Sequence, residues 1–181
     1  MEALTYLKLR YVAGDRNLAD RALQVVREGI SAMARRPAFE AELGDVRARL
    51  ERSEGAQNLK TGPGGSYDID YLAGSLQARH QLWLPGNLVE RLQLLRDRRL
   101  LTEDEYQPLA ESARFLRTVE HVIRLVSGRA RKWIPLAEHP RRGVQKLLWR
   151  MLGAEDSFDP EMRLADVMRQ TRNIYLAHPR D

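Results

Sequence analysis

Cysteine is absent from the 181 residues, so disulfides and thiolate metal centres are excluded. Histidine is scarce: His80, His121, His139 and His178 stand far apart, and no two share the three- or four-residue spacing of a helical metal site. His121, flanked by Phe115, Leu116, Val119 and Val122, reads as a packed residue rather than a catalyst. Ser66 has no recognisable base beside it and no nucleophile-elbow pattern, which leaves hydrolase chemistry without support. No apolar run approaches the length of a membrane span, and "MEALTYLKLR" lacks the apolar stretch of a signal peptide. The expectation is a soluble, cytoplasmic protein with no membrane partner.

Lysine is also rare. The 30 basic side chains include only Lys8, Lys60, Lys132 and Lys146, and arginine supplies the rest. Arginine matches phosphate and carboxylate with a planar fork, yet acids are interleaved with these arginines throughout, as on solvated helix faces. The groups Arg35-Arg36, Arg96 to Arg99 and Arg141-Arg142 fit either description. Aromatic residues make up 7% of the chain and the basic residues form no continuous stripe, so no nucleic acid partner is expected.

Helix signals fill most of what is present. Leu23, Val26, Ile30 and Met33 repeat at helical spacing after an Asp15 or Asn17 cap, and a charged helix follows from Pro37 through Leu50. In the second half Asn87 opens one helix, and Thr102 with Glu105 forms a capping box for another that closes at Gly128. Val144, Leu147, Leu148 and Met151 mark the apolar face of a third, and Asp159-Pro160 starts the last. The coarse picture is a helical bundle joined to a small loop-and-strand element.

That element is "NLKTGPGGSYDID", residues 58–70. Gly62, Gly64 and Gly65 allow a tight turn, or a close main-chain approach to a phosphate. No Walker loop or dinucleotide fingerprint surrounds them. "YDIDYLA" alternates, which predicts a short strand with Asp68 and Asp70 on one face. Two carboxylates so placed suit either a shared divalent cation or a solvated edge. Helical spacing resumes from Tyr71, with Leu72, Leu76 and Leu82 as core candidates.

The stretch "NLKTGPGGSYDIDYLAGSLQARH" resembles a segment of the glutamine synthetase adenylyltransferase/adenylyl-removing enzymes. "LKLRYVAGD" upstream and "LLTEDEYQPLAESARFLRTVEHVIRLVSGRARKWIP" downstream resemble flanking motifs of that family in the same order. The resemblance implies a mainly α chain: residues 1–80 as the incomplete C-terminal part of a polymerase-β-like nucleotidyltransferase domain, a small α+β remnant, and residues 81–181 as a helical bundle domain like that of the uridylyltransferases. It implies ATP and magnesium as cofactors of the complete enzyme and Asp70 and Asp68 as catalytic residues, with Asp70 in the place of a metal-binding carboxylate and Asp68 as the preceding acid. Lys60, Gly62, Gly64 and Gly65 would shape the nucleotide side of the cleft. Glutamine synthetase is the implied partner, together with a nitrogen-regulatory signalling protein.

The family's upstream Gly-Ser…Asp-x-Asp pair has no counterpart here. The expectation is therefore part of an enzyme that adenylylates or deadenylylates glutamine synthetase, inactive as an isolated chain. The competing expectation is a non-catalytic helical module that binds a protein partner.

Overall fold

Capping chemistry sets the starts of four of the helices. The structure, a computed structural model, describes residues 2–153 and 159–178. A 3-10 helix, Glu2–Lys8, precedes seven α-helices: α1 (Arg16–Ala34), α2 (Phe39–Glu54), α3 (Ser66–Arg79), α4 (Leu88–Asp97), α5 (Glu103–Ser127), α6 (Glu138–Leu152) and α7 (Pro160–Ala177). Asp15 accepts the Leu18 N–H at the start of α1. Asn87 with Glu90, and Thr102 with Glu105, form complete capping boxes at α4 and α5. Asp159 caps α7 ahead of Pro160, and α5 closes at Gly128 in the left-handed region, φ 66°.

The chain is mainly α, as the sequence predicts, but the described residues contain no strand. The predicted strand at Tyr67–Tyr71 is the first turn and a half of α3. Its alternation is misleading because α3 is buried nearly all round: Asp68, Ile69 and every residue from Tyr71 to Ala78 are shielded from solvent. A helix without a polar face shows no 3.6-residue stripe from which to be recognised. Tyr67 and Tyr71, four apart, stack with ring centroids 6.2 Å apart, as helical neighbours do. Three smaller differences accompany this one. α2 continues to Glu54, Met151 is exposed, and His121 faces solvent rather than the core.

α3 and α5 form the centre. α3 packs against the 3-10 helix and against α1, α2, α4, α5 and α7, while α5 packs against α3, α4, α6 and α7. Leu109, Leu116, Val119, Val122 and Ile123 of α5 are fully enclosed, and so is Ile69 of α3. No helix among the described residues is long and apolar enough to cross a membrane. Truncating Leu116 to Ala leaves a cavity at this junction and is expected to lower stability by about 2–5 kcal/mol in urea denaturation.

Candidate functional site

The segment from Asn58 to Asp70 folds as a closed loop that runs into α3, and its amides are occupied. Asn58 Oδ1 accepts the Lys60 and Thr61 N–H groups at 2.9 and 3.2 Å. The Gly62 N–H donates to Asn58 O, Gly65 to Gly62 O, Ser66 to Leu59 O and Tyr67 to Lys60 O. The Gly64 N–H donates to Asp68 Oδ2 at 2.8 Å. Gly64 sits at φ 74°, and a Cβ there would lie 1.7 Å from the Met168 carbonyl oxygen of α7. The glycine at this position is required by contact between the loop and α7 as well as by its backbone angle.

Helical geometry sends the two aspartates to different faces. Residues two apart on a helix diverge, so the single carboxylate face expected of a strand is not formed. Asp68, with no exposure, points inward to Arg47 of α2, whose Nε and Nη2 both lie 2.6 Å from Oδ1. Arg47, itself buried, also donates to Thr61 O at 2.8 Å and Gly62 O at 2.9 Å. Arg172 of α7 reaches Asp68 Oδ2 at 3.1 Å. One buried carboxylate thus ties α2, α3, α7 and the glycine loop together.

Asp70 faces the opposite way, into a surface groove of about 400 Å³. Lys8 Nζ donates to Oδ2 at 2.7 Å, and Arg91 of α4 donates to Oδ1 at 2.5 Å. Arg91 is fixed in turn by Gln77 of α3, whose Oε1 accepts from its Nε. Burial pushes the Asp70 carboxyl up, but the charges and hydrogen bonds of Arg91 and Lys8 outweigh it and hold the group below the ordinary aspartate range. Lys60, Arg117 and Glu120 also line the groove, with Lys60 Nζ 3.6 Å from Glu120.

Of the residues singled out from sequence, then, Lys60 and Asp70 meet at one groove. Asp68, Gly62, Gly64 and Gly65 belong to the loop and its buried anchor instead. Arg47, Arg91 and Gln77 escaped sequence reading, although a signal for the arginines exists. Arg47 continues the buried face of Phe39 and Leu43 at four-residue steps, and Arg91 lies between Leu88 and Leu95 on the inner side of α4.

Both aspartates have their oxygens engaged by arginine, lysine or backbone N–H donors. Among the described residues no group of three His, Asp or Glu side chains is placed to hold a metal. The described residues do not by themselves fit a magnesium ion.

Two measurements follow. Arg47→Met strands a buried carboxylate and is expected to destabilise the fold by about 3–5 kcal/mol, whereas Arg172→Met, at a more exposed site, costs less; urea denaturation ranks the two. The folded-state pKa of Asp70 is lowered, so its contribution to stability is present above the unfolded value near pH 4 and is lost as pH falls through the folded value. Stability should therefore fall less steeply below about pH 4 in Asp70→Asn than in the unaltered chain.

Comparison with known proteins places this architecture. The family model described as GlnD PII-uridylyltransferase matches residues 38–176, from the start of α2 almost to the end of α7. A bifunctional glutamine synthetase adenylyltransferase/adenylyl-removing enzyme of Streptomyces avermitilis is 30% identical over 150 residues, covering 78% of this chain and 15% of the relative. The enzyme of the same name from Xanthomonas campestris pv. campestris strain B100 is 29% identical over 153 residues, 79% of this chain and 16% of the relative. That of Streptomyces coelicolor is 28% identical over 190 residues, 96% of this chain and 18% of the relative. The chain thus spans less than a fifth of the length of these relatives. With the model covering all of α2 to α6 and most of α7, the chain belongs to the GlnD PII-uridylyltransferase family.

Proposed function

We propose that the chain forms one wall of a nucleotidyltransferase that adds AMP to glutamine synthetase or removes it. The observation that carries this reading is the meeting of Lys60 and Asp70, distant from Lys8, Arg91 and Arg117 in sequence, at one open groove rich in cations. Four basic and two acidic side chains line it, an environment that favours an anion such as the phosphates of a nucleotide. The likeness to enzymes named as glutamine synthetase adenylyltransferases supports the choice of protein substrate.

ATP and magnesium belong to this proposal through that likeness, and the metal would be held by carboxylates outside the described residues. Residues 1–80 would be the C-terminal part of the nucleotidyltransferase domain and residues 81–181 its helical bundle domain, in a cytoplasmic enzyme answering to a nitrogen-regulatory signalling protein. The chain by itself would then supply binding surface and orientation rather than a two-metal centre.

With radiolabelled ATP, magnesium and glutamine synthetase, the purified 181-residue chain is expected to transfer no AMP. A chimaera in which it replaces the matched segment of the Streptomyces avermitilis enzyme is expected to add or remove AMP measurably. Transfer by the chain alone would overturn the division of labour. A folded chimaera inert in both directions would favour the non-catalytic helical module.

A further inference from the structure

We propose that the groove at the α3–α4 junction is a metal-independent phosphate site, in which Lys8, Lys60 and Arg117 contact the ligand and Asp70 is a positioning residue. This deepens the reading above and rests on it only for the identity of the ligand as a nucleotide. It departs from the magnesium role that the resemblance implies for Asp70.

A lysine ammonium carries three N–H groups. Lys8 gives one to Asp70 and, with its side chain 45% exposed, keeps the others for the groove. Lys60, 40% exposed, is held toward Glu120 at 3.6 Å, an ion pair without a hydrogen bond. Arg117 is exposed on α5, lines the same groove and has no ion-pair partner among the described residues. Even with both carboxylates ionised, the lining retains two uncompensated positive charges. A phosphate oxyanion, with several acceptor oxygens, satisfies such a set where a cation would be repelled.

The role of Asp70 follows from what lies behind it. Gln77, fully buried, fixes Arg91, and Arg91, 1% exposed, fixes Asp70 Oδ1. Oδ2 is left to hold the Lys8 ammonium at the rim. The relay from Gln77 through Arg91 and Asp70 to Lys8 gives a flexible lysine one position, and so reduces the entropy lost when an anion binds. A metal at Asp70 would have to displace Lys8 and leave Arg91, nearly dry, beside a dication.

The shared chemistry of the ligand is the phosphate group, carried by a nucleotide or by inorganic phosphate. The test is calorimetric titration of the 181-residue chain with phosphate, pyrophosphate and ATP in EDTA. Pyrophosphate is expected to bind without metal and to weaken as salt is raised. Lys60→Gln and Arg117→Gln should each lower its affinity roughly tenfold. Asp70→Asn should weaken binding no further once Lys8→Gln is present, and Asp70→Glu should retain it. Tighter binding of ATP than of pyrophosphate assigns a nucleotide, and equal binding assigns the phosphate group alone; both uphold the site.

Unchanged affinity in both Lys60→Gln and Arg117→Gln overturns the proposal. So does pyrophosphate binding that requires magnesium and is lost in Asp70→Asn but not in Lys8→Gln. If Asp70→Asn fails to fold, Lys8→Gln, Asp70→Glu and the two groove variants still decide. Failure of the glutamine synthetase chimaera would leave these outcomes untouched, so the two readings fall separately.

Discussion

A carboxylate without access to water must find its counter-charge inside the protein, and Asp68 does so in Arg47. Each group alone would be severely penalised in this interior. Together they are satisfied because Arg47 also donates to Thr61 O and Gly62 O, and Asp68 also accepts from the Gly64 N–H. The pair therefore fixes more than two side chains. It sets the path of the glycine loop, the start of α3 and, through Arg172, the approach of α7. Gly64 is bound into the same arrangement, since α7 comes close enough to the loop to leave no room for a Cβ.

The groove depends on that anchor. α3 can turn Asp70 toward Lys8 and Arg91 only because Asp68, two residues earlier, is held on the opposite face. A change in the rotation of α3 would move both carboxylates at once, one out of its arginine cage and the other away from the rim. The interior ion pair and the surface cation cluster are thus coupled by one rigid helix, which gives a buried aspartate a direct influence on the geometry of an exposed site.

Much of this was legible in the sequence where local chemistry acts alone. The Asn87 cap, the capping box at Thr102, the Asp159-Pro160 start and the Gly128 stop are decided by a few neighbouring residues, and each stands where those residues place it. α3 was not legible as a helix, because its register is decided by burial on every side and its two-residue alternation is incidental. The arginines were obscured for a related reason. In composition Arg47 and Arg91 look like any of the solvated arginines around them, and only their positions within apolar stripes distinguish them. Lys60 and Asp70 could be picked out by resemblance, but their shared groove could not, since Lys8 and Arg91 join it from other elements of the chain.

An acid kept for a metal differs physically from an acid kept for a cationic side chain. A metal carboxylate is presented with free lone pairs, often among other carboxylates, so that the ion relieves a repulsion already built in. Asp70 has no such repulsion to relieve. Its nearest charges are positive, its carboxyl is held ionised by them, and its oxygens are already satisfied. A short side chain anchored from behind by Arg91 sets the Lys8 ammonium more rigidly than a longer one would. By this argument the groove keeps its acid to orient cations, and its preference for an anion is a property of the folded chain before any metal arrives.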